Sequence, residues 1–360
     1  MKWTSPFFLI LIFSYLLVSC ATSDKDFDRA KLEKNDEFDQ VIKIETLEPA
    51  VKEEETKKEV SKKQVKKKSP QKKKDKSKKA EPVKKAAKKN DNEKKSKDKK
   101  VKNEIAKKKK LRQPRLEDDE GFDGRRPIVE PYEVGEEIIM GISYFAVEAG
   151  KFTMKVMPMV QVNGKKSYHF RYLIKSSPLF SMFYKVDDIA ETFVDYETLV
   201  PYSYEIHADE SKQQRETRTF FDHKKNKAIM WDKKKKPGKE LEKRKKEWDI
   251  LPFSHNVFSV AYYLRNFTLK VGKELKVRVG HEGKNIVMTA KVLRRETIYT
   301  DAGKFDCHVV KPKFNVEGKF KPTGENYLWL TADDNKYIVR LESKIKIGSI
   351  VGEVQKIKKR

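Results

Sequence analysis

The side chains in this sequence able to shuttle protons, attack a carbon or hold a metal are its six histidines, two cysteines and a few adjacent carboxylates. His169, His207, His223, His255, His281 and His308 show no metal-ligand spacing, and His281-Glu282 lacks the second histidine one helical turn on that a zinc protease motif requires. Ser343-Lys344-Ile345-Lys346 has the serine–lysine spacing of acyl-enzymes. That chemistry needs a helix to bring the two side chains together, and this segment alternates as a strand does. No glycine-flanked serine elbow and no phosphate-cradling glycine loop occurs. Asp187-Asp188 and Asp333-Asp334 are expected at turns or surface edges as solvated carboxylates. Cys307 alternates with Phe305 and Val309 and is expected to pack as a small apolar group. The expectation is a protein that is not an enzyme, with no catalytic residue, no metal site and no cofactor.

The second cysteine ends an apolar run. Phe7 to Val18 is continuously apolar but shorter than the roughly 20 residues that span a bilayer, and Ser19-Cys20-Ala21-Thr22 follows, so residues 1–19 read as a signal peptide. Leu17-Val18-Ser19-Cys20 resembles the lipobox of bacterial lipoproteins. That resemblance implies a diacylglycerol on the Cys20 thiol, cleavage between Ser19 and Cys20, and acylation of the new amine. One acyl chain holds a protein only marginally, whereas two or more hold it stably. In the enterobacterial pattern Asp after the lipidated cysteine marks inner-membrane retention. Ala21 therefore implies an outer-membrane address, facing the periplasm. Cys307 is then left without an intramolecular partner, which excludes a disulfide framework.

What surrounds these residues is unevenly charged. The whole chain of 360 residues carries +27, but residues 61–110 alone hold 25 lysines against 6 acids, a net +19 with no aromatic residue. Residues 21–60 net −5. Such composition cannot bury a core, so the N-terminal third is expected to be disordered, with 20–126 a lipid-anchored, lysine-rich linker. It would span about 55–60 Å as a coil and up to about 350 Å when extended. Its partners would be anionic envelope polymers, or none if it is a solvated spacer. Nucleic acid is not expected, because a signal peptide takes the chain out of the cytosol and no aromatics interleave with the lysines. The acidic tract from Leu116 to Gly124 lacks the oxygen spacing of a calcium loop.

Residues 127–360 carry 44 basic and 31 acidic residues with 30 aromatics, enough for one folded domain. The pattern there has period two. Ile138, Met140, Ile142 and Tyr144 make one apolar face, Phe152, Met154 and Val156 another, Tyr168, Phe170, Tyr172 and Ile174 a third, and Glu274 to Val279 alternates in the same way. Turn chemistry separates the runs at 148–151, 162–165, 281–284, 301–304 and 332–335. About a dozen strands imply a mainly β fold, a curved antiparallel meander closing to an open or half-open barrel. The spacing of Val257, Phe258, Ala261 and Leu264 predicts one amphipathic helix over 253–265 with Ser254 as N-cap, and Pro178 to Phe183 predicts a second helical turn. Lys224 to Lys246 holds 12 basic and 3 acidic residues around Pro237-Gly238, a protruding hairpin. Lys233, Lys234, Lys235 and Lys236 there are either a polyanion contact or an edge kept soluble by charge.

Six stretches together point to a family. Tyr132-Glu133-Val134-Gly135-Glu136 leads into an Ile-rich strand, Val147 to Phe152 and Phe183 to Asp188 follow, and a helix ends Tyr262-Tyr263-Leu264-Arg265. Thr300 to Cys307 and Tyr327 to Asp334 come later, before a final hairpin with Gly348. This ordered set, over roughly 130–356, resembles the domain of unknown function 3108, a family of exported bacterial proteins. The resemblance implies a curved sheet like an open barrel and carries over no catalytic residue. The expected function is a monomeric, lipid-anchored, non-catalytic binding module. Its concave face, through Tyr168, Phe170, Tyr172, Tyr327 and Trp329, would take an apolar or amphipathic envelope ligand, or the domain would dock a protein partner. Those aromatics are alternatively plain core. The competing expectations are an envelope tether whose lysines grip wall or lipopolysaccharide, and an enzyme acting on envelope glycans or lipids.

Overall fold

Short turns between alternating segments leave a chain few choices other than pairing each strand with the next. The computed structural model describes residues 35–47, 130–316, 325–344 and 348–359. The apolar run, Ser19, Cys20, Lys346 and the stretch 48–129 with its lysine block lie outside the described residues. Among the described residues no helix is long and apolar enough to cross a membrane.

A short helix α1 (Asp36–Val41) and strand β1 (Ile44–Thr46) come first. Then β2 (Glu137–Tyr144), β3 (Val147–Val162), β4 (Lys165–Ser176), β5 (Val186–Asp195), β6 (Pro201–Glu210), β7 (Gln213–Asp222), β8 (Lys227–Lys235) and β9 (Glu242–Asp249) form successive antiparallel hairpins. A second run follows: β10 (Glu274–His281), β11 (Lys284–Thr300), β12 (Gly303–Val316), β13 (Glu325–Thr331), β14 (Ile338–Lys344) and β15 (Ser349–Lys358). β15 pairs with β2, Val351 opposite Ser143, so both runs make one 15-stranded sheet with free edges at β9 and β10. The fold is mainly antiparallel β, a curved meander that stays open, as the alternation predicts. Register shifts at Ile142/Ser143, Met157/Val160, Phe193/Val194 and Val292/Arg294 supply bends that a long sheet needs to curl.

Two helices interrupt the meander. α2 (Pro178–Ser181) caps itself with Ser177, whose hydroxyl accepts from the Phe180 amide, and α3 (Ser259–Leu264) lies between β9 and β10. α3 is shorter than the predicted 253–265. Its N-terminal carbonyl-free amides are met by Asn256, whose Oδ1 accepts from the amides of Phe258 and Ser259, whereas Ser254 donates to the Leu251 carbonyl and caps nothing. The turn expected at 148–151 lies instead at Phe145-Ala146, both with positive φ, and Gly150 sits inside β3. There a Cβ would stand 2.3 Å from the Lys175 carbonyl oxygen, which explains the glycine by close strand approach and not by a turn. One further difference concerns residues 35–47. They fall within the stretch expected to be linker, yet Phe38 and Ile42 are buried and Ile44 pairs with Val162 of β3.

Candidate functional site

The aromatic strand faces lead into the barrel, and α3 fills it. Phe170 stacks on Tyr262 with ring centroids 3.8 Å apart, Tyr132 stands edge-on to Tyr168 and Phe170 at 5.2 Å, and the Tyr172 hydroxyl donates to the Phe258 carbonyl at 2.6 Å. Burial raises the pKa of Tyr172 and Tyr262, so both hydroxyls stay protonated. Tyr168, Phe170 and Tyr172 are each no more than 2% exposed and contribute about 2–3 kcal/mol apiece in apolar burial. The void left beside them, lined by Phe152, Tyr172, Asp188, Ile206 and Phe258, measures about 10 Å³, the lower limit for one water. These three residues therefore form core against α3. Tyr327 and Trp329 are elsewhere: Lys311 and Lys344 lie 5.2 and 5.4 Å from the Tyr327 ring, Arg340 lies 5.1 Å from that of Trp329, and the indole donates to Glu296. Trp329 belongs to the same buried core as the three β4 aromatics and Tyr327 packs against it, but both rings also meet cations and neither lies among the rings against α3.

What holds α3 in place is a buried ion pair. Arg265, fully buried, donates to both carboxylate oxygens of Glu136 at 2.6 and 2.8 Å, to the Pro131 carbonyl and, from Nε, to the Asn335 carbonyl at 2.9 Å. Burial alone would lower its pKa; the Glu136 carboxylate outweighs this and raises it. Tyr132, Tyr262 and Tyr337 surround the guanidinium at 5.2–5.6 Å. Three stretches that carry the family resemblance, Tyr132 to Glu136, Tyr262 to Arg265 and the turn after Tyr327 to Asp334, thus converge on one guanidinium.

The open side of the sheet is pinned by side chains. Arg215 on β7 reaches Asp232 on β8 and Glu282 in the β10–β11 turn, both at 2.6 Å, and Asn285 donates to the Asp249 carbonyl at 2.9 Å. The long separation of Arg215 from Glu282 in the chain leaves no local signal for this pairing.

On the outer face, Glu205, His207 and Glu216 each bring one ligand atom within 4.8 Å of the others, the only such metal-compatible group among the described residues. Arg218 fits that space itself, its Nε 3.2 Å from Glu205 and 2.9 Å from Glu216. Burial pushes Glu205 up to about 7. Burial would lower His207, but the Glu216 carboxylate 2.5 Å from its Nδ1 prevails and raises it. Beside them burial opposes ionisation of Glu191, yet His169 and Arg171, each at 2.7 Å, hold it down at about 2. The set is a cross-strand charge lattice with a resident cation. Asp188 departs from the solvated carboxylate expected of it: it is 3% exposed, and burial together with Glu210 raises its pKa. A turn never formed there, because Asp188 lies within β5. Asp333 does sit in a turn, accepting from the Thr331 hydroxyl and the Lys336 amide. Cys307 is buried, and burial pushes its thiol up to about 12, the behaviour of a packed side chain.

Lys233, Lys234 and Lys235 belong to β8, half-buried; Lys236 starts the turn at Pro237-Gly238. Lys233 lies opposite Glu216 and Lys243, and burial lowers the pKa of Lys233 and Lys234. β9 is exposed along nearly its whole length and presents Lys243, Arg244, Lys245 and Lys246 at a free edge. Apolar exposure is concentrated at the opposite kind of feature, two loop tips. Of seven large exposed apolar side chains among the described residues, Phe145 is in the β2–β3 turn with Val147 just after it at the start of β3, and Leu179, Met182 and Phe183 lie between β4 and β5. The Ser177 amide donates to the Ala149 carbonyl at 2.8 Å, joining the two tips.

No curated protein matches the sequence. Among solved structures it is similar to a β-barrel-like protein of domain of unknown function DUF1849 from Brucella abortus, with TM-score 0.41, 11% identity, and coverage of 62% of this chain and 97% of that one. A candidate exported protein with a YmcC-like fold from Bacteroides fragilis gives TM-score 0.29 at 12% identity, covering 64% and 98%. A candidate lipoprotein from Parabacteroides distasonis gives 0.26 at 13%, covering 63% and 96%. The sequence model of the family described as protein of unknown function (DUF3108) matches residues 141–355, and the chain belongs to that family.

Proposed function

We propose that this is an envelope lipoprotein, held in the outer membrane through Cys20 and facing the periplasm, whose β domain acts by docking a protein partner on its surface and performs no catalysis. The observation that carries this reading is the filled interior. α3 and the rings of Phe170, Tyr172 and Tyr262 occupy the space beside β4 in which an apolar ligand would lie, and the void next to Tyr172 and Phe258 measures about 10 Å³. The joined tips bearing Phe145, Val147, Leu179, Met182 and Phe183 offer the apolar surface that a partner would cover.

Mass spectrometry of the protein purified from its own membranes, under native and then dissociating conditions, tests both halves. The wild-type chain should carry covalent acyl mass that Cys20→Ala lacks, and neither should release a non-covalent ligand. Equal covalent masses would overturn the anchor. A stoichiometric lipid released from either protein would restore the enclosed-ligand reading.

A further inference from the structure

Residues 35–47 match the face they cover. Asn35 caps α1 by accepting from the Phe38 amide at 3.1 Å, and Asp36, Glu37 and Asp39 fill the first turn. On the other side of the helix Phe38 and Ile42 are buried with Val160, Val162, Phe193 and Trp231, the Phe38 ring edge-on to Trp231 at 5.8 Å. The acids meet bases: Glu37 accepts from the Trp231 indole at 2.9 Å and from Lys245, and Asp39 lies 3.4 Å from Arg218, whose guanidinium is 5.5 Å from the Phe38 ring. β2 and the residues just before it pair with β3 as far as Val156, and farther along that edge Ile44, Glu45 and Thr46 pair with Val162, Gln161 and Val160. Asn163 closes the junction, accepting from the Lys43 amide at 2.8 Å and donating to the Val41 carbonyl at 3.2 Å.

We infer that this basic, aromatic outer face is a peptide groove whose occupant is the chain's own acidic segment 35–47, a clasp that ties the N-terminal part of the chain to the domain directly. Apolar anchors, strand addition and opposite charge act on the same thirteen positions, the combination by which an extended peptide is held at a sheet edge. Resting on the lipid anchor proposed above, the clasp changes what sets the reach of the domain. Residues 21–34 alone then separate Cys20 from the domain. The lysine block at 61–110 runs between two points of attachment on the same domain, Leu47 and Glu130, and is no longer the spacer.

The test is a site-specific protease sequence inserted between Lys84 and Lys85 of the full chain, followed by cleavage and gel filtration in detergent at about 0.5 M salt, where loose charge pairing is screened. The N-terminal fragment should co-elute with the domain fragment, and Phe38→Ala should weaken that retention by about tenfold or more. A wild-type fragment that elutes alone, that stays bound only at low salt, or that is retained equally well with Phe38→Ala would overturn the clasp. Phe38 lies on the segment, so the substitution leaves the core packed around α3 untouched. The readout does not depend on acylation of Cys20, so failure of the clasp and failure of the anchor give different results.

Discussion

The two faces of β4 to β7 are built from alternate residues of the same strands and solve opposite problems. Inward, Tyr172, Ala190, Tyr204 and Ile206 pack around α3; outward, Arg171, Glu191, Glu205 and His207 stand in a lattice of cross-strand charges with Glu216 and Arg218. The inner face buries its ion pairs, Arg265 with Glu136 at one end and Arg215 with Asp232 and Glu282 at the open side. The outer face spreads its charges over side chains that solvent partly reaches, Glu216 excepted. Equal chemistry at unequal depth should therefore differ in what its removal does.

The largest effect expected is from Arg265→Ala, which strands a buried carboxylate. Urea denaturation should show a loss of about 3–5 kcal/mol, against about 1–2 kcal/mol for Arg218→Ala on the outer face. Equal losses would break the distinction between the faces. Next is Glu191→Gln. Its carboxyl is held down at about 2 by His169 and Arg171, so the native state favours the ionised form. The stability it contributes is present above the ordinary carboxyl range and lost as pH falls through about 2. The variant should be less stable at pH 7 by at most about 3 kcal/mol and indistinguishable from wild type near pH 2; a pH-independent difference would point to packing instead. Asp188 has the opposite sign. Burial raises it, so the folded state binds the proton more tightly than the unfolded chain, and that contribution fades as pH rises. Asp188→Asn should gain on wild type between pH 5 and pH 8, by about 2–4 °C in Tm; a uniform loss at both values would count against a protonated Asp188. The smallest effect belongs to the free edge, where Lys246→Ala on exposed β9 should stay within about 0.5 kcal/mol. A larger loss would mean that its contact with the Glu282 carbonyl helps hold the open side together.

Much of this difference is legible in the sequence. Glu274 to Val279, Ile138 to Tyr144 and Tyr168 to Ile174 announce strands by period two, and Asn163-Gly164, Glu282-Gly283 and Pro237-Gly238 announce the turns between them. Cys307 reads as a packed side chain from its neighbours alone. Other features misread for identifiable reasons. Gly150 looks like a turn residue because local sequence cannot show a carbonyl from β4 approaching it. Asp188 looks solvated because alternation places it inward only once Val186 is known to start the strand. Residues 35–47 look like linker because their composition resembles what surrounds them, and the apolar patch that selects Phe38 and Ile42 is assembled from β3, β5 and β8.

The sequence by itself determined the elements: a charged N-terminal third with a cysteine after an apolar run, an antiparallel β domain from about residue 130, one helix, and membership of a family recognisable by an ordered set of local stretches. Those are properties of neighbours along the chain, set by side-chain periodicity, turn stereochemistry and composition. Only the tertiary structure decided that the helix fills the barrel, that Arg265 draws three of those stretches together, that Arg215 pins the open side, and that an acidic segment near the N-terminus lies along a basic outer face. Each of these joins residues far apart in sequence, and desolvation and pairing of buried charge act on distance in space, which the order of residues does not encode locally.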